Sequence, residues 1–126
     1  MIAVIDDDAS VRTAISNLVR SLGYAVHVFP SAEAFLQSAQ LEQTRCVIAD
    51  VRMPGMSGVE LQSQLRVQGR RTPFIIITAV PEERVRKRAI ADGAICFLTK
   101  PFDEDVLIDC LNTALAPLGN DAAGEP

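Results

Sequence analysis

The chemically active side chains of this chain stand where apolar runs stop. Ile2-Ala-Val-Ile5 ends at Asp6-Asp7-Asp8, and Cys46-Val-Ile-Ala49 ends at Asp50. Phe74-Ile-Ile-Ile77 ends at Thr78, and Ile95-Cys-Phe-Leu98 ends at Thr99-Lys100-Pro101. An unpaired buried charge is costly, so a carboxylate that closes an apolar strand either emerges into water or works in a site. Clustered carboxylate oxygens suit a hard cation, and Mg2+ takes a few carboxylates, keeps several waters and shares phosphate oxygens. A carboxylate can also act as a nucleophile and form an acyl phosphate. Phosphoryl transfer asks mainly for positioning and charge neutralisation. Lys100 and the Thr78 hydroxyl fit the oxygens of a phosphoryl group on Asp50. Singly, each residue has a plainer use: Asp8 as a helix N-cap, Asp6 or Asp7 likewise, Thr78 as a strand-end residue, Lys100 as a solvated lysine. Their joint placement at four strand ends is what favours a site.

The elements that position them follow from periodicity. Short strands are expected at 2–5, 25–29, 45–49, 74–77 and 95–98. Between them, apolar positions 11, 14, 15, 18, 19 and 22 form a helical stripe closed by Gly23. Ser31 can cap a helix from Ala32 to about Ala39, and Ser57-Gly58-Val59-Glu60 is a capping box opening a helix to about Gln68. Glu82 to Asp92 reads as a helix ending at Gly93, with Glu82–Arg86 and Glu83–Lys87 as expected ion pairs. Asp103 can cap the last helix, whose apolar positions are 106, 107, 110, 111, 114 and 115. A βα unit repeated in this way predicts a parallel sheet covered on both faces. The expected fold class is α/β, a flavodoxin-like (βα)5 doubly wound sheet of order 2-1-3-4-5, which sets strands one, three, four and five side by side.

With 126 residues the chain suits one domain, taken as residues 1–117, with the small polar stretch 118–126 as a tail or linker stub. A net charge of −4 argues against non-specific nucleic-acid binding. No apolar run approaches the roughly 18 residues of a membrane span, and MIAVIDDD lacks the basic start of a signal peptide; a cytoplasmic location is expected. Cys46, Cys96 and Cys110 form no CxxC pair and His27 is the sole histidine, which disfavours a zinc site. All three cysteines are read as buried small hydrophobes.

The motifs VIDDD, IADVRMPGMSGVEL, IIITA, DGA and FLTKPF, in order over about residues 2–116, resemble the receiver domain of bacterial two-component response regulators. The style of the third strand, and Phe97, are most similar to regulators with a helix-turn-helix output domain. The resemblance implies that Asp50 is the phosphoacceptor, and that Asp6 and Asp7 hold Mg2+ (or Mn2+), one directly and one largely through water. Arg52 would offer the metal its backbone carbonyl. Thr78 would be the switch hydroxyl, Lys100 the partner of a phosphoryl oxygen, and the bond before Pro101 would be cis. Phe97 would be an aromatic switch residue, against plain core packing; if Cys96 and Leu98 face one helix layer, Phe97 faces the other.

Implied partners are a sensor histidine kinase as phosphodonor and an output domain or partner protein, in transcription control. A phosphorylation-dependent homodimer through helix 4, strand 5 and helix 5 is a further expectation, with basic helix 4 facing Asp105 or Asp109. Such a chain phosphorylates itself and slowly dephosphorylates itself; it is not a turnover enzyme, and it binds neither nucleic acid nor membrane directly. Departures from the family pattern are Ala79 where Gly is common and Lys87 where an apolar residue is common. The basic stretch 82–88 is either a solvated face or a docking surface. Among rivals, a haloacid-dehalogenase-type phosphatase would want Asp where Arg52 stands. A nucleotide-binding domain would want GxxxxGK[ST] or GxGxxG after strand one, which is absent. A degenerate receiver kept for docking would be expected to lack site residues.

Overall fold

Each apolar run becomes a strand, and each amphipathic stretch between runs a helix. The computed structural model describes residues 1–116: β1 (Ile2–Ile5), α1 (Ala9–Ser21), β2 (Val26–Phe29), α2 (Ala32–Leu36), β3 (Cys46–Asp50), α3 (Gly58–Val67), β4 (Phe74–Thr78), α4 (Glu83–Ala91), β5 (Cys96–Thr99) and α5 (Glu104–Ala114). The expected tail at 118–126, and residue 117, lie outside the described residues. All strand pairs are parallel and the order is β2-β1-β3-β4-β5, as expected. Ile5 pairs with Ala49, Asp50 with Ile77 and Thr78 with Thr99, so the strands end level with one another at one edge.

Alternate strand residues serve two cores. Ala3, Ile5, Val47, Ala49, Phe74 and Ile76 pack with Phe35 of α2, Leu61 and Leu65 of α3 and Ala89 of α4. On the other face, Ile2, Val4, Ile48, Ile75 and Ile77 pack with Ile15 and Val19 of α1 and Leu107 and Leu111 of α5. A fully buried side chain of this size contributes about 1.5–3 kcal/mol relative to exposure, which is why the central strands are apolar on both faces. β5 divides the same way: Cys96 and Leu98 lie against the α1/α5 core, Phe97 against the opposite one.

Local signals hold unevenly. The Asp8 carboxylate accepts from the Ser10 and Val11 N–H groups at 2.8 and 3.3 Å, the Ser31 hydroxyl accepts from the Ala34 N–H, and the Ser57–Glu60 capping box is complete. Asp103 occupies the cap position of α5, but its side chain makes no capping bond. α2 stops at Leu36 rather than near Ala39, because the Ser38 hydroxyl accepts the Gln40 N–H at 3.2 Å and offers the backbone an alternative to helix; a 3₁₀ turn follows at Leu41–Gln43. The expected pairs on α4 do not form. Glu83 meets Arg86 at 3.5 Å, and Glu82 reaches out of its helix to Arg52 at 3.5 Å.

The cysteines need correcting. Cys96 and Cys110 are joined by a disulfide, their Cα atoms 6.2 Å apart. The sequence placed one in a strand and the other on a helical stripe, but both positions face the same core, which brings them together. Cys46 is a free, buried thiol as expected, and desolvation pushes its pKa up to about 12. The sign is that of a neutral thiol: at pH 8 only about one molecule in 10⁴ carries a Cys46 thiolate, the reactive form. Native protein treated with iodoacetamide at pH 8 should therefore show no Cys46 modification by peptide mass, and the same treatment in guanidinium should modify it fully.

Candidate functional site

The level strand ends gather the acidic residues. Asp6, the first residue beyond β1, is fully buried; its Oδ1 accepts the Asp8 N–H at 2.9 Å and its carbonyl accepts from Arg12 Nη1 at 2.7 Å. Asp50, the last residue of β3, is 6% exposed. Asp7 is exposed, and carboxylate oxygens of Asp6, Asp7 and Asp50 all lie within 4.8 Å of one another. Lys100 comes from the far side of the sheet. Its Nζ donates to Asp6 Oδ2 at 3.1 Å and to Asp50 Oδ2 at 3.4 Å. It is aimed by the turn after β5, where its N–H donates to the Thr78 carbonyl at 2.8 Å and the Lys100–Pro101 bond is cis.

Charge is unbalanced here. Burial raises the Asp50 pKa above the ordinary carboxylate value, and the charge of Asp6 adds to this against Lys100 and an Arg52 backbone hydrogen bond. Partial burial pulls the Lys100 ammonium down, but hydrogen bonds and charge from Asp6 and Asp50 outweigh it and the net shift is upward. Three carboxylates against one ammonium leave an excess of hard, anionic oxygen donors, which is the donor chemistry of Mg2+, and the residues present fit that ion.

The other expected residues stand nearby in different states. Thr78 is buried at the end of β4, and its hydroxyl is engaged with its own loop: it donates to the Val80 carbonyl and accepts the Val80 N–H, both at 3.2 Å. Arg52 turns its guanidinium to Glu82. Phe97 packs toward the α2/α3/α4 core. Beside the cluster lies an open cleft of about 630 Å³, lined by Arg52, Met53, Pro54, Glu82, Val85 and Arg88 among others but by none of the clustered acids.

Two supporting residues gave no signal of their role in the sequence. Glu33 of α2 accepts the Met56 N–H at 2.9 Å and lies over Gly55, whose φ of +79° suits glycine. It thereby holds the loop after Asp50 from 23 residues away. Gly58 begins α3 directly under Asp50, where an added Cβ would collide with the Asp50 carbonyl oxygen. Only the capping box marked this position, and a capping box does not ask for glycine at its second residue.

Residues 2–112 match the family model described as response regulator receiver domain. The response regulator protein TodT of Pseudomonas putida F1 is 42% identical over 115 residues, covering 91% of this chain and 51% of TodT. The transcriptional regulatory protein FixJ of Bradyrhizobium diazoefficiens is 38% identical over 114 residues, 90% of this chain and 56% of FixJ. The chain thus spans about half the length of these relatives. The crystal structure of FixJ-N superposes with a TM-score of 0.79 at 35% identity, covering 90% of each chain.

Two substitutions test this geometry. Because the fold raises the Asp50 pKa, it disfavours the charged form, and that loss of stability grows as pH rises through the folded-state value. Asp50→Asn should raise the thermal midpoint at pH 7 without divalent metal, and the gain should vanish as pH falls below the ordinary carboxylate range, where the folded and unfolded forms are both protonated. Gly58→Ala should lower it, at a cost of about 1–3 kcal/mol for overpacking. Calorimetry of both variants across pH checks each direction.

Proposed function

The chain belongs to the response regulator receiver domain family, and from that premise we propose that it is a phosphorylation-activated switch whose phosphoacceptor is Asp50. The observation that carries this is the Asp50 carboxylate at a strand end, within ligating reach of Asp6 and Asp7 and bridged to Asp6 by Lys100. Receiver domains accept a phosphoryl group from histidine kinases and act on output domains. An Asp50 oxygen attacks the phosphorus of a kinase phosphohistidine, the new O–P bond forming as the P–N bond breaks and the imidazole leaves. Mg2+ held by Asp6, Asp7, Asp50 and the Arg52 carbonyl would supply charge neutralisation between these carboxylates and the phosphoryl oxygens.

The chain's own residues do the rest. The Lys100 ammonium, already on Asp50, passes to a phosphoryl oxygen, giving up part of its hold on Asp6. Thr78 exchanges its two bonds to Val80 for one to the phosphoryl group. Phe97, one position before Leu98 and on the opposite face, moves with it and biases α4, β5 and α5, a two-state element read by a partner. The receiver unit takes in residues 1–117; the greater lengths of TodT and FixJ support an output domain beyond it, and the style of the third strand, with Phe97, favours the helix-turn-helix type. On this reading the chain works in the cytoplasm, and pairing of two copies through α4, β5 and α5 joins activation to output.

Incubation with a small-molecule phosphodonor and Mg2+ should add one phosphoryl group by intact mass, absent without Mg2+ and absent from Asp50→Asn. Lys100→Ala should slow its formation by about 10²-fold, the usual cost of removing one preorganised charge partner. Folded wild-type protein that takes up no phosphoryl group would overturn the assignment, together with the roles given to Lys100 and Thr78.

A further inference from the structure

The phosphoacceptor reading makes no use of the Cys96–Cys110 bond. Cys96 is the first residue of β5 and partly exposed; Cys110 lies on the buried stripe of α5, 5% exposed. The loop the bond closes contains Phe97, Lys100 and the Lys100–Pro101 turn. Two full cores flank the sheet, and the third cysteine, Cys46, is a buried thiol. Disulfides in reducing compartments are transient or redox-sensing rather than structural. A bonded pair with one partly exposed cysteine, bracketing the residues of a switch, has the arrangement of such a site.

We propose that Cys96 and Cys110 form a reversible dithiol–disulfide site, with low-molecular-weight disulfides as oxidant, whose closure clamps β5 to α5 and opposes the movement that phosphorylation drives there. The clamp rests on the phosphoacceptor reading; the thiol chemistry does not. The Cys96 thiolate attacks one sulfur of glutathione disulfide and expels a glutathione thiolate. Cys110, giving its proton to solvent, then displaces the second glutathione from Cys96. Two protein thiols and one glutathione disulfide become one protein disulfide and two glutathione thiols. Because Cys96 directly precedes Phe97 and pairs with Ile75 of β4, closing the bond fixes the root of the segment carrying Phe97, Thr99 and Lys100. A bond that favours the resting arrangement must by reciprocity be loosened when the active one is bound.

The test takes the whole chain through glutathione buffers of rising disulfide-to-thiol ratio, quenches with an alkylating agent and reads intact mass. Two cysteines should pass together from alkylated to protected, in wild type and Cys46→Ser alike. Cys96→Ser and Cys110→Ser should show no such joint protection. With Mg2+ present, calorimetric affinity for beryllofluoride, a phosphoryl mimic, should be at least threefold weaker in the closed wild type than in the open, and independent of redox state in Cys96→Ser. A pair that never closes in glutathione disulfide, or never opens in glutathione, overturns the site, and equal affinities overturn the clamp. Beryllofluoride that binds neither form would strike the phosphoacceptor reading instead, and the alkylation series, which uses no metal or phosphoryl group, would still decide the thiol site.

Discussion

One electrostatic constraint organises this molecule: three carboxylates are pressed together at the edge of an apolar sheet with a single ammonium among them. Lys100 touches Asp6 and Asp50 at once, so it is the tie between the first and last strands of the functional edge and, among the described residues, the one cation paired with its carboxylates. The arrangement is poised rather than relaxed. Burial and the neighbouring charge leave Asp50 costly to ionise, and a hard cation among these carboxylates would relieve the crowding, whereas an anionic group that draws Lys100 away would sharpen it.

The rest of the fold serves to hold that crowding in place. Parallel strands in register deliver the carboxylates level with one another, and two separate cores fix the sheet from both sides. The loop after Asp50 is held by an acidic side chain from a different helix, Glu33, and by a glycine at the foot of α3 that lets the helix start against the Asp50 carbonyl. The placement of the loop after β3 is thus settled by residues whose side chains supply nothing to the acidic cluster.

Much of this was legible in the sequence because it rests on patterns of short range. The alternation of apolar runs and amphipathic stretches predicts a parallel sheet and suits the observed order without dictating it, and the clustering of Asp6, Asp7, Asp50 and Lys100 follows from strand ends in that order. The opposite facing of Phe97 and Cys96 followed from period two. What failed was pairing between distant side chains. Nothing in Glu82-Glu-Arg-Val-Arg-Lys-Arg88 says that Glu82 leaves its helix for Arg52, because helical spacing describes only neighbours on one helix. Cys96 and Cys110 were assigned to the right elements and still misjudged, since their meeting depends on where α5 docks. Glu33 carries no signal at all, and Gly58 stands in a recognisable motif without its reason, because their roles are set by the backbone of another segment.

The bond between Lys100 and Asp6 joins residues 94 positions apart. Contacts that far separated are made late, after the intervening chain has found its place, and a chain leaving the ribosome exposes Asp6, Asp7 and Asp50 long before Lys100. The acidic edge therefore spends its early life without its cation, and the pocket is complete only once β5 has docked and the turn after it has formed. Competence to receive a signal is in this way a property of the finished molecule: a partly made or locally opened chain carries every carboxylate and cannot use them.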